Sequence, residues 1–147
     1  MRFFDIVNDN FRKNTGDIIL PTRATSGSAG YDFYSPIDIT IPPHQKVMIW
    51  SDVKVHMDSD NIFIINVRSS MGKQPIMIAN TQGWIDSDYW NNEKTGGNIG
   101  FNLLNLGDTP YEIKAGDRIA QGMFTYYLTT DDDNAVGNRT GGFGSTN

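Results

Sequence analysis

Large apolar residues in this chain recur at every second position, in short runs separated by turn-forming residues. Ile37/Ile39/Ile41, Val47/Ile49, Val53/Val55/Met57 and Ile99/Phe101/Leu103 each put their bulk on one face of an extended backbone. Pro42-Pro43, the following His44-Gln45-Lys46, Asp58-Ser59-Asp60-Asn61 and Gly107-Asp108-Thr109-Pro110 lie between them as connecting turns. Ile62 to Val67 predicts a more buried strand, and Tyr111 to Leu128 predicts two more around Lys114-Ala115-Gly116-Asp117. Phe11 to Leu20 leads in and ends in a short predicted strand, Ile18-Ile19-Leu20, stopped by Pro21. No window of a dozen residues holds a helical period. Many short strands at this spacing predict an all-β sandwich or jelly-roll-like barrel.

At 147 residues the chain is expected to form one domain over 1–147, burying roughly two-thirds of the surface its unfolded form exposes. From about Thr129 onward there is little to bury, so 129–147 is predicted to be a C-terminal arm, mobile without ligand. Twelve Lys+Arg against seventeen Asp+Glu leave a net charge of -5, the wrong sign for tracking a polymeric nucleic acid. A small anion remains possible if a few cations gather locally. Without cysteine there is no disulfide, thiol catalysis or Cys-ligated zinc. Met1-Arg2-Phe3-Phe4-Asp5 turns polar at once, and Ile62-Phe63-Ile64-Ile65 is too short to cross a bilayer. The expectation is a cytoplasmic protein with no membrane partner, in the host cytosol if a virus or phage encodes it.

The chemistry concentrates at Gly83-Trp84-Ile85-Asp86-Ser87-Asp88-Tyr89. On a strand Asp86 and Asp88 share a face, and two like charges that close resist joint ionisation unless a cation or a water-filled site holds them. The plain alternative is an acidic hairpin tip with a buried Trp84. Four further segments carry small, charged or hydroxyl residues where a β-domain needs only turns. They are Ala29 to Ser35, Arg68-Ser69-Ser70-Met71-Gly72, Gly116 to Gln121, and Arg139 to Thr146 with Phe143 set among glycines. His44 and His56 lack ligand spacing, and Asp131-Asp132-Asp133-Asn134 lacks the glycine and distal glutamate of a calcium loop.

Taken in order, these five segments resemble the five motifs of the homotrimeric dUTPases, with a likeness running from about Leu20 to the C-terminus. The resemblance implies a distorted jelly-roll-like β-barrel and hydrolysis of dUTP to dUMP and pyrophosphate by water attack on the α-phosphorus. Such an activity limits uracil in DNA and supplies dUMP for dTMP synthesis. It further implies Asp86 as the water-activating base, Mg²⁺ as cofactor held through water by Asp32, and a homotrimer with sites shared between subunits. Arg68, Ser69 and Ser70 would meet phosphate; Asn80 and Gly100 the nucleoside; Trp84 and Ile85 the uracil edge through their backbone. Tyr89 would pack under the deoxyribose and reject a 2′-hydroxyl, while Asp117 and Gln121 would lie near the phosphates. In the arm, Phe143 would stack on uracil. Arg139, Gly144, Ser145 and Thr146 would close over a neighbour's site, the arginine and hydroxyls at the outer phosphates.

Four departures stand out. Gly97 is read as the glycine that usually follows Tyr89 closely, which makes an insertion of about six residues after Trp90. Glu93 and Lys94 there are expected in solvent. Ser70 and Gly72 stand where the family has glycine and alanine. The step from Arg139 to Phe143 is one residue shorter than usual. Arg68-Ser69-Ser70 also resembles the dCTP deaminases, but Asn102 stands where those carry a catalytic glutamate. A non-catalytic β-module binding nucleotide or protein is the alternative from another class. Outside the family, Arg68 would be a structural ion-pair partner, for example of Asp117.

Overall fold

The structure, a computed structural model, describes residues 1–142. Eleven strands carry it: β1 (Phe3–Ile6), β2 (Tyr31–Tyr34), β3 (Ile39–Ile41), β4 (Lys46–Trp50), β5 (Val53–His56), β6 (Asn61–Asn66), β7 (Ile76–Ile78), β8 (Gly83–Asp86), β9 (Gly100–Asn105), β10 (Tyr111–Ile113) and β11 (Arg118–Tyr126). The only helical pieces among the described residues are 3₁₀ turns at Asp9–Phe11, Ser69–Lys73 and Ser87–Tyr89. Every strand pair is antiparallel. A four-stranded sheet runs β2-β11-β6-β8, a three-stranded one runs β4-β9-β7, and β1-β5 and β3-β10 form two ribbons. This is the all-β, jelly-roll-like architecture the alternation predicts.

Register turns that alternation into a core. In β6, Phe63 and Ile65 point inward while Ile64 and Asn66 lie on the other face; in β9, Phe101 and Leu103 are buried against Ile49. Phe4, Phe33, Phe63, Phe101 and Phe124 meet ring to ring, with the Phe63–Phe124 centroids 4.8 Å apart and Phe33–Phe101 at 5.0 Å. Burying each such ring is worth about 1.5–3 kcal/mol before its edge-to-face contacts are added.

Two expectations for the leading segment are corrected. Residues 3–6, read as breaking into polar sequence, form β1, because Phe4 finds the aromatic cluster and the backbone pairs with β5 from Phe3↔His56 to Ile6↔Val53. Ile18-Ile19-Leu20 forms no strand: Pro21 follows and no neighbour offers a ladder, so only the bridge Thr22↔Asp32 forms there. Among the described residues, no helix is long and apolar enough to cross a membrane. His44 is exposed, whereas His56 is half-buried, stacked on Phe3.

A buried polar knot ties the N-terminal segment to the core. Asp52 takes a left-handed φ of 58° between β4 and β5, a conformation a short polar side chain tolerates. Its fully buried carboxylate accepts from Lys13 N (2.9 Å), Asn14 N (2.9 Å), Asn14 Nδ2 (3.0 Å), Asn98 Nδ2 (2.8 Å) and Arg12 Nε (3.2 Å). Burial alone would raise its pKa, but the bonds from Lys13, Asn14 and Asn98 outweigh that and hold it below the ordinary value.

Candidate active site

β8 is an edge strand: β6 pairs with one side, and the other side faces a cleft of about 810 Å³. Edge position leaves main-chain N–H and C=O groups of Gly83 to Asp86 unpaired toward that cleft. The turn leading into β8 is laced to β6. Thr81 sits at φ 73°, Asn66 Nδ2 donates to its carbonyl (3.3 Å), and Gln82 Nε2 donates to Asn66 Oδ1 (3.2 Å). Trp84 Nε1 then donates to Gln82 Oε1 (2.8 Å). The buried-Trp alternative is corrected here, because Trp84 is 68% exposed at the mouth. The buried aromatic is Tyr89, 4% exposed.

Strand alternation ends at Asp86. Ser87–Tyr89 coils into a 3₁₀ turn, so Asp86 and Asp88 do not share a face by strand period. Arg139 brings them together instead: its Nε donates to Asp88 Oδ1 at 2.7 Å, and its Nη2 donates to Asp86 Oδ2. Burial raises the Asp86 pKa above its ordinary value of 3.8; Arg139 opposes this and Asp88 reinforces it. Arg139 itself is pushed up, chiefly by its bond to Asp88. The arm residues 129–138 are all exposed until Arg139 makes this contact and Gly142 lies against the Tyr89 ring. A Cβ at Gly142 would sit 2.5 Å from Tyr89 Cε2, so only glycine allows that approach.

Of the residues singled out in the sequence, Asn80, Trp84, Ile85, Asp86, Tyr89, Gly100 and Arg139 line this one cleft. Ile85 points its side chain into the core, so it offers the cleft only backbone. Phe143, Gly144, Ser145 and Thr146 lie outside the described residues. Lys46, Met48, Gln82 and Asn102 also line the cleft and were not expected there. Met48 and Asn102 are cross-strand partners in β4 and β9, and Lys46 is two residues along on the same face. Only the pairing reveals this, although period-two spacing from Gly100 to Asn102 hinted at it.

Asp32, Arg68, Ser69, Ser70 and Gln121 form a second cluster. Asp32 and Gln121 are cross-strand partners, and Gln121 Nε2 donates to Val67 O at 3.5 Å. Arg68 Nε donates to Asp32 Oδ1 (3.1 Å) and Arg118 Nη1 to Oδ2 (3.4 Å), so Arg68 pairs with Asp32 and not with Asp117. Asp117 instead caps its own turn by accepting from Lys114 N (2.8 Å). Two guanidiniums around one carboxylate leave a local positive charge, beside the exposed hydroxyls of Ser69 and Ser70. Asp32 and Asp86 stand on opposite edge strands of the four-stranded sheet, and their rows are four residues apart on β6. At ordinary strand and residue spacings they lie on the order of 20 Å from each other. In one chain, the cleft and the cationic cluster are separate.

The family model described as dUTPase matches residues 16–147. The chain belongs to the dUTPase family. It is 34% identical over 149 residues to the deoxyuridine 5'-triphosphate nucleotidohydrolase of Lactococcus lactis, covering 99% of this chain and 97% of that protein. Against the human mitochondrial nucleotidohydrolase it is 35% identical over 131 residues, 86% of this chain and 49% of the relative. The crystal structure of the dUTPase from Streptococcus mutans superposes with a TM-score of 0.78 at 30% identity, covering 87% of this chain and 98% of that one.

Proposed function

We propose that this chain hydrolyses dUTP to dUMP and pyrophosphate, with Asp86 as the general base, in a site that a homotrimer completes. The observation carrying this is Asp86 at the end of an edge strand, in a cleft of nucleotide size, with a pKa raised by burial. A base works best when its pKa approaches the working pH, and such a group is typically worth ~10²–10⁴ in rate. Asp86 Oδ1 has no hydrogen-bond partner among the described residues, which suits it to holding a water. Water oxygen bonds to the α-phosphorus, its proton passes to Asp86, and the bond from that phosphorus to the bridging oxygen breaks to release pyrophosphate.

The free edge of β8 suits the uracil, whose alternating carbonyl and N–H groups match a strand's unpaired backbone. Tyr89 lies beneath the sugar. Arg68, Ser69, Ser70 and Gln121 suit the phosphates, and since they cluster around Asp32, which lies on the order of 20 Å from Asp86 within one chain, they serve a neighbour's cleft. The exposed path of 129–138 leaves the arm able to redirect. On substrate binding Arg139 leaves Asp86 and Asp88 for the outer phosphates, freeing the base as Phe143 covers the uracil.

Mg²⁺ is the cofactor of this reading. Among the described residues no three His, Cys, Asp or Glu gather in a metal-binding group, and both oxygens of Asp32 already meet arginines. That donor set fits an ion that keeps its waters and takes direct ligands from phosphates, with Asp32 acting through water. Bound there, the ion neutralises phosphate charge.

The test is to offer dUTP, dCTP, UTP and dTTP separately with Mg²⁺ and identify products. Expected are dUMP and pyrophosphate from dUTP, with the others far slower. Deaminated dCTP would move the chain to the deaminase alternative, and no turnover of any nucleotide would leave the binding-module alternative.

A further inference from the structure

We propose that the segment following Trp90 is a positioning element for sugar discrimination, and that Thr95 sets the Tyr89 ring through its hydroxyl. This rests on reading the cleft as a dUTP site. The segment was expected as a solvated loop; Glu93 and Lys94 are indeed exposed, but Asn92, Gly96, Gly97 and Asn98 are buried. Asn92 Oδ1 accepts from Lys94 N (3.0 Å) and Thr95 N (3.2 Å), which bends the chain back toward Tyr89. Gly97 closes the loop at φ 82°, where a Cβ would lie 2.2 Å from Trp90 O.

Two hydrogen bonds meet at the Tyr89 hydroxyl. Its single hydroxyl proton is donated to Asn98 O at 2.7 Å. Its oxygen accepts from Thr95 Oγ1 at 2.8 Å, a closer acceptor for that hydroxyl than Asn92 Oδ1 at 3.2 Å, and Thr95 Oγ1 accepts in turn from Gly97 N at 3.3 Å. Asn98 is fully buried and locked: its Oδ1 accepts from Asp52 N (2.9 Å) and its Nδ2 donates to Asp52 Oδ1 (2.8 Å). The tyrosine is therefore tethered through Asn98 to the same buried carboxylate that anchors the N-terminal segment. Asn92 Nδ2 is buried with no partner among the described residues.

A ring held at its hydroxyl end by Thr95 and Asn98 resists the tilt that an extra 2′-hydroxyl would demand. Removing the Thr95 donor loosens one end and leaves the aromatic wall in place. Thr95 contacts neither the uracil edge nor the phosphates in this arrangement, so it is a positioning residue.

The test compares Thr95→Val and Thr95→Ser with wild type, measuring kcat/KM for dUTP and for UTP. Thr95→Val is expected to lower the dUTP-over-UTP ratio by about three- to tenfold, the worth of one neutral hydrogen bond, with kcat for dUTP nearly unchanged. Thr95→Ser keeps the hydroxyl and is expected to keep the ratio. An unchanged ratio in Thr95→Val, or an equal loss in both variants, overturns the proposal. If wild type does not hydrolyse dUTP, the functional reading falls by itself. Crystal structures of wild type and Thr95→Val then decide the positioning claim: Tyr89 must shift in the variant, and an unmoved ring refutes it.

Discussion

Replacing Asp86 by Asn separates chemistry from binding and from folding. The amide is isosteric and keeps an acceptor for Arg139, but it cannot take a proton from water. Loss of a positioned base predicts a fall in kcat of ~10²–10⁴, with KM for dUTP changed little. The same structure predicts almost no stability penalty. Asp86 is half exposed, so its pairing with Arg139 is worth less than about 1 kcal/mol. Against that stands the raised carboxylate pKa. The folded state holds the Asp86 proton more tightly than the unfolded chain, so the ionised group detracts from stability at neutral pH, and a neutral amide relieves this. The melting temperature at pH 7 should therefore stay level or rise slightly. In wild type, kcat/KM should be lost as pH falls through a value above 3.8, and that limb should vanish from the residual activity of the variant. Initial rates of pyrophosphate release across pH, calorimetry with a non-hydrolysable dUTP analogue, and thermal melts supply the three readouts. Turnover near wild type would refute Asp86 as base. Binding lost together with turnover would make it a binding group instead.

Two further outcomes follow from the same geometry. Deleting Arg139 to Asn147 should abolish dUTP hydrolysis while leaving the proposed trimer intact, since the stretch before it is exposed and no strand extends past Tyr126 among the described residues; gel filtration with a pyrophosphate assay checks both halves. Asp52→Ala strands several buried donors and should cost about 3–5 kcal/mol, roughly a 10 °C drop in melting temperature. Because the Asp52 pKa is lowered, that stability is fully present above the unfolded value near 3.9 and is lost as pH falls through the lower folded one; the gap between wild type and variant should narrow in acid.

Alternation at period two made β4, β5, β6 and β9 legible, because one buried face demands it whatever the neighbours are. Motif spacing marked Asp86, Tyr89, Asn80 and Arg139, residues whose chemistry is local to a few positions. What pairs with what was not legible. β1 and the failed strand at Ile18 to Leu20 depended on whether a partner edge existed, and that is a property of the assembled sheets. Lys46, Met48, Gln82 and Asn102 reach the cleft through cross-strand register and turn packing, which no single stretch encodes.

The sequence by itself determined the alternating strands β4, β5, β6 and β9, the pair of carboxylates after Gly83 and the order of the five motifs, since each rests on residues close along the chain. Tertiary structure alone decided that β8 lies on a sheet edge and that Asp32, with Arg68 bonded to it, stands on the opposite edge strand from Asp86. It also decided that the segment after Trp90 folds back to hold the Tyr89 hydroxyl. These depend on contacts between residues far apart in sequence, where packing and hydrogen-bond satisfaction choose among arrangements that local pattern leaves equal.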